Sequence, residues 1–264
     1  MVYIVTALLA EAKPLIKKYK LSPEVQSPFS IYSNENIKLI ITGIGGDLAL
    51  MATTFLLTKF PPTSNAILVN LGITGSIHPI GEALLAHTIS SDRSGHSYYP
   101  DMRLTHPFRE VVLHTVDTPI EEAGNYEAVD MEAFYVYKAA LAFLSSSQIM
   151  IFKVVSDNFS ANIPSKEDVF GWIDTHLEML FKLIETAIEK KPQTLSFSPQ
   201  LQIEREKVQE ALQLTKAQND QFSDALKGYL LRNHTEPLLP KHLPMKHKKE
   251  QKDAFNKLLT LLKP

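Results

Sequence analysis

The sequence contains no cysteine. That excludes disulfides, thiolate nucleophiles and cysteine-based zinc sites, and leaves the redox compartment open. No uninterrupted apolar run approaches the ~20 residues that span a bilayer, so no membrane segment is expected. The start, Val2-Tyr3-Ile4-Val5 running into Thr6-Ala7, lacks the basic stretch and cleavage site of a secretory leader. Charge of either sign is not in large excess. A net −2 over 264 residues gives no general pull toward nucleic acid or an anionic membrane. The nine histidines form no obvious ligand motif, so neither a metal nor another cofactor is expected. No internal repeat is evident. These absences predict a soluble globular protein of one large domain or two unequal ones, and a cytoplasmic location is expected for it.

What is present alternates in type. Val2 to Leu8 reads as a strand and Leu9 to Tyr19 as a helix, with Pro14 an imperfection in it. Pro23 to Asn36 reads as loop and edge strand. Ile37 to Thr42 is a strong strand that ends in Gly43-Ile44-Gly45-Gly46, and a helix follows from Asp47 to Phe60. A glycine turn there suits close approach of a ligand to backbone, although a tight turn with no ligand explains it equally. Ala66 to Asn70 is almost continuously apolar, as a central parallel strand would be, and leads into Leu71-Gly72-Ile73-Thr74-Gly75-Ser76. Further strands are expected over Ala83–Ser90, Val111–Val116 and Gln148–Val155. A long helix is expected from Ser165, a candidate N-cap, to Lys191.

This order predicts an α/β fold: a mixed, mostly parallel central sheet flanked by helices over residues 1–192. A Ser/Pro linker (193–200) and a helical C-terminal extension (201–264) follow. From Pro199 onward, 12 Lys/Arg against 8 Asp/Glu leave the extension near +4 and the body near −6. The basic cluster His242, Lys246, His247, Lys248 and Lys249 is read as a solvated turn rather than a nucleic-acid or lipid site.

Three carboxylates stand out by position. Glu11 and Asp157 lie at carboxyl ends of expected strands, where α/β folds collect ligands. Glu132, in Ala128-Val129-Asp130-Met131-Glu132-Ala133-Phe134, opens a helix whose apolar face is Ala133, Val136, Tyr137 and Ala140. Asp130 and Glu132 taken alone are explained as partners of that helix N-terminus.

Together the segments Val5-Thr6-Ala7-Leu8-Leu9-Ala10-Glu11-Ala12, Thr42-Gly43-Ile44-Gly45, Val69-Asn70-Leu71-Gly72, Val129-Asp130-Met131-Glu132-Ala133 and Val155-Ser156-Asp157 have a family's order. They resemble the nucleoside phosphorylase/nucleosidase superfamily, and most closely its 5′-methylthioadenosine/S-adenosylhomocysteine nucleosidases. The resemblance spans roughly residues 1–190. The Ala-Glu-Ala opening is also similar to futalosine hydrolases.

The resemblance implies roles. Glu11 would prepare water, Met131 and Glu132 would hold the ribose, and Ser156 and Asp157 would serve the base, Asp157 donating a proton to it. Lys153 stands where the family usually has an arginine near the water site. Gly72 and Ile73 would line the site. Pro119 and Ile120 lie near the place of the family's base-stacking phenylalanine, in a segment from Gly81 to Glu132 that is shorter than usual. Phosphorylases of the superfamily carry a phosphate-gripping arginine where this chain has Asn70, and Ile73 replaces their serine, which favours water as nucleophile. Such chemistry needs Glu11 ionised and Asp157 protonated, with burial or a hydrogen bond raising the Asp157 pKa. The implied partners are a small nucleoside and a second copy of the chain. A phosphorylase, or a catalytically silent nucleoside- or partner-binding protein, remains the alternative.

Overall fold

The computed structural model describes residues 1–160, 164–189, 197–233, 235–240 and 248–262 of the chain. It divides into two compact units, Met1–Lys191 and Pro192–Pro264. The described part of the first unit holds ten strands: β1 (Val2–Thr6), β2 (Ser22–Pro23), β3 (Ser30–Ser33), β4 (Ile37–Ile41), β5 (Ile67–Ser76), β6 (Ala83–Ser91), β7 (Ser97–Tyr98), β8 (Arg109–Thr115), β9 (Ala128–Asp130) and β10 (Ile149–Asp157). Its helices are α1 (Leu9–Lys18), α2 (Gly46–Lys59), α3 (Ala133–Ala140) and α4 (Lys166–Glu189).

Alternation along the strands decides the layers. Tyr3 and Val5 of β1 face one core with α2 and α3, while Val2 and Ile4 face the other with α1 and α4. In β10, Ile149, Ile151 and Val155 join the first core, and Met150, Phe152 and Val154 the second. A strand buried on both faces is mostly apolar, which is why Ile67–Val69 of β5 and Ile149–Phe152 of β10 read as continuous runs. Each fully buried Ile, Leu or Phe contributes about 1.5–3 kcal/mol.

Strand order is β2-β3-β4-β1-β5, and β5 then closes a ring with β9, β8, β6 and β10. The expectation of a mostly parallel sheet is corrected here. Among the described residues five pairings are parallel and five antiparallel. β5 runs parallel to β1 and β10, as a central strand should. Closing the ring requires the antiparallel contacts β5–β9 and β10–β6. β5 is also longer than its apolar run. The residues Leu71 to Ser76 extend the strand, because β10 continues to pair with them as far as Gly75, and Gly75 and Ser76 pair with β9.

Pro14 does lie inside α1 and is buried there. Ser165 caps α4, accepting a hydrogen bond from the Asp168 N–H at 3.1 Å. In the second unit, α5 (Pro199–Leu212), α6 (Lys216–Asn233) and α7 (Lys248–Leu262) enclose a separate core of Leu201, Val208, Phe222, Leu226, Phe255 and Leu258 among others. The sequence pattern allowed one long helix or two over Gln202–Arg232. The break comes at Gln213, whose backbone is left-handed (φ 50°), followed by Thr215, which caps α6 by accepting from the Gln218 N–H. Residues 193–196 of the expected linker, and His242, Lys246 and His247 of the basic cluster, lie outside the described residues.

α2 and α3 meet at a glycine. A Cβ on Gly46 would run into the Tyr135 ring. Gly46→Ala is therefore expected to destabilise the protein by about 1–3 kcal/mol through overpacking. Thermal unfolding measures this, and Tyr135→Leu in the same chain should recover most of the loss.

Candidate active site

The site is built along the middle of β5. Glu11 occupies the first turn of α1 and is 2% exposed. Its Oε2 accepts from the N–H groups of Ala7 and Leu8, both at 2.8 Å, satisfying donors that a helix start leaves open. Its Oε1 accepts from the Ile73 N–H at 3.0 Å. Gly72 makes that approach possible, since a Cβ there would lie 2.9 Å from Glu11 Oε1. Gly72 and Ile73 thus act on Glu11 through backbone. Three donors on a carboxylate with about four lone-pair positions leave one for a further partner.

Lys153, on β10 opposite Gly72, is 3% exposed. Its Nζ lies 2.8 Å from Asp130 Oδ2. Asp130 also accepts from Thr115 Oγ1 at 2.7 Å and from the Ala133 N–H at 2.8 Å. Thr115 Oγ1 in turn accepts from the Phe134 N–H. Asp130 is thus spent on the lysine, on β8 and on the start of α3.

Glu132 is the N-cap of α3 and is 8% exposed. Its Oε1 accepts from the Gly45 N–H at 2.7 Å. Gly45 has a φ of 105°, which permits this turn and turns its amide to the carboxylate. The glycine turn, for which a ligand and a plain tight turn are equal readings of the sequence, receives protein groups: Glu132 at Gly45 and Tyr135 at Gly46.

These charges share one buried space. Glu11, Asp130 and Glu132 surround a single ammonium. Burial pushes the Glu11 carboxyl above its ordinary value, against the pull of Lys153 and its three backbone donors. Burial, then the Asp130 charge, pushes Glu132 up to about 7, opposed by Lys153 and Gly45. The Lys153 ammonium is held above its ordinary value by Asp130 and Glu132 despite its own burial.

Asp157 ends β10 just past a register shift between Val155 and Asp157. A bulge there re-aims the side chain. Ser156 Oγ donates to Asp157 Oδ2 at 2.8 Å and lies 3.2 Å from the Thr74 carbonyl. The N–H groups of Phe159 and Ser160 donate to Asp157 Oδ1. Gly75 leaves room for that oxygen, 3.1 Å from where a Cβ would sit. Glu11 at Gly72–Ile73 and Asp157 at Gly75 are two to three residues apart along β5, about 7–10 Å of strand rise.

Beside Asp157, Val116, Val129 and Phe159 form a small apolar cluster, joined by partly buried Ile120, Ala123, Tyr126 and Met131. Pro119 is exposed. Of the expected site residues, Glu11, Gly72, Ile73, Lys153, Ser156 and Asp157 border β5. Glu132 joins them through the Lys153 charge, and Met131 and Ile120 meet in the cluster. Asn70 stands apart: its Nδ2 donates to the Val5 carbonyl and so ties β5 to β1. Sequence reasoning missed Asp130 as the lysine's partner, Thr115 and Phe159. Thr115, at the carboxyl end of β8, had the positional signal used for Glu11. Among the described residues no group of acidic or histidine side chains is arranged to hold a metal ion.

No protein-family model matches the chain, and no curated protein matches it. Solved structures do. A mutant MTAN (5′-methylthioadenosine/S-adenosylhomocysteine nucleosidase) of Helicobacter pylori, with 5′-methylthioadenosine in the active site, has a TM-score of 0.59 at 14% identity, over 70% of this chain and 98% of that one. The 5′-methylthioadenosine nucleosidase of Arabidopsis thaliana gives 0.59 at 19%, over 73% and 96%. A futalosine hydrolase of Helicobacter pylori gives 0.54 at 13%, over 72% and 98%. The chain has the fold of these enzymes.

The buried carboxylates set a pH dependence. Glu132 holds its proton up to about pH 7 in the folded protein and loses it near its ordinary value of 4.5 when unfolded. The folded state binds more protons between those values, so stability falls as pH rises through that window, by up to about 3 kcal/mol. Glu132→Gln is always neutral. Its stability relative to wild type should rise from pH 5 to pH 8 in urea titrations, and an unchanged difference would contradict the assigned burial.

Proposed function

We propose that the chain is an N-ribosyl hydrolase that cleaves the N-glycosidic bond of a purine nucleoside of the 5′-methylthioadenosine/S-adenosylhomocysteine type. The observation that carries this is that Glu11 and Asp157, from two separate segments, meet β5 at Gly72–Ile73 and at Gly75, while Glu132, from a third, shares with Glu11 the charge of the buried Lys153. A binding protein has no need of all three. The neighbours' fold supports the reading, and one of them holds 5′-methylthioadenosine in its active site.

Each residue has a task in this chemistry. The bond breaks through an oxocarbenium-like sugar, so a stabilised leaving group and an activated water lower the barrier. Glu11, with one acceptor position open, orients and deprotonates water. Glu132 Oε2, which takes no hydrogen bond from a described residue, accepts from the ribose hydroxyls, and Met131 packs on the sugar. Asp157, steadied by Ser156, delivers a proton to the departing base. Lys153 draws the pKa of both Glu11 and Glu132 down against the effect of their burial. Water is favoured over phosphate as nucleophile, since Asn70 is engaged by Val5 and Lys153 by Asp130. Futalosine is the second substrate to test, on the likeness to the futalosine hydrolase. A cytoplasmic homodimer belongs to the same proposal and rests on resemblance.

The test is release of free adenine from 5′-methylthioadenosine. Wild type should release it without phosphate. Asp157→Asn and Glu11→Gln should each slow it about 10²–10⁴-fold. The pH–rate profile should show two limbs, the acidic one from protonation of Glu11. Release that requires phosphate would make the enzyme a phosphorylase. Inert 5′-methylthioadenosine, futalosine and inosine would leave a binding protein.

A further inference from the structure

Phe159, two residues past the candidate acid, is held in an unusual backbone conformation. Its φ is 58°, in the left-handed region that bulky residues rarely adopt. Asn158 holds the segment there, its Nδ2 donating to the carbonyls of Ser76 and His78 at 2.7 Å each. The Phe159 N–H donates to Asp157 Oδ1 at 3.0 Å, so ring and carboxylate are fixed relative to each other. Yet the ring belongs to neither large core of the unit. It packs in the small cluster with Val116 and Val129, against Ile120 and Met131. Strained backbone of this kind clusters at ligand sites, and here it places an aromatic ring outside the two large cores and next to a carboxylate.

We propose that Phe159 is the aromatic platform for the leaving base. This rests on the nucleosidase reading and deepens it. A purine enters the cluster on the side of its partly buried members, Ile120 and Met131, and stacks on the Phe159 ring with its edge toward Asp157. Stacking accepts any flat base, while the distance to Asp157 selects one with an imidazole-type nitrogen on that edge. The site would therefore prefer purine over pyrimidine nucleosides.

The experiment measures binding of free adenine by calorimetry, and KM and kcat for 5′-methylthioadenosine, in wild type, Phe159→Leu and Phe159→Tyr. Leucine keeps an apolar side chain of similar reach, and thermal unfolding checks that each variant is folded. Loss of stacking should weaken adenine binding in Phe159→Leu about 5- to 150-fold and raise KM more than it lowers kcat. Tyrosine should restore both, and the purine-over-pyrimidine preference should shrink only in the leucine variant. Equal or tighter adenine binding by Phe159→Leu would show the ring to be a plug and overturn the proposal, as would failure of wild type to bind adenine. If adenine binds with the expected ranking but no nucleoside is cleaved, the platform stands and the hydrolase reading falls.

Discussion

One ammonium group is asked to neutralise three buried carboxylates. Lys153 is bonded to Asp130 and lies within electrostatic reach of Glu11 and Glu132. A buried pair contributes little net stability compared with an apolar one, but removing either partner is costly. The lysine thereby fixes what surrounds it. Asp130 ties β9 and the start of α3 to β8, Glu132 ties α3 to the glycine turn before α2, and Glu11 ties α1 to β5. With one positive charge for three acids, the cluster retains a proton near neutrality.

The strands and helices were largely legible because burial on two faces leaves a strong mark. Residues such as Ile149 to Phe152 are buried and apolar without a break. The extension of β5 was not legible. Gly72, Thr74 and Gly75 look like a turn, but β10 and β9 pair with them as strand, and the two glycines leave room there for Glu11 and Asp157. Ring closure was hidden for a different reason. It depends on antiparallel contacts such as Gly75 with Val129 and Phe152 with Leu85, between strands far apart in sequence.

The site divides the same way. Glu11, Glu132, Ser156 and Asp157 stand at element ends, where position itself is a signal. Asp130 stands there too, but its partner is 23 residues away on another strand, and local reasoning explained it through the helix start alone. Phe159 carries no periodicity. Only its backbone conformation and its cluster distinguish it.

The strand order has a consequence for how the molecule behaves in company. A sheet that ends in a long exposed strand offers unpaired amides to any neighbour and invites fibrous aggregation. Here β5, β9, β8, β6 and β10 close on one another, and the open side tapers to β2, two residues long. One of those two is Pro23, which has no N–H to give. The short β7 flanks β6 in a similar way. Crowded copies of this unit find little backbone to pair with, so its association is left to side-chain surfaces, where specificity is set by shape and charge.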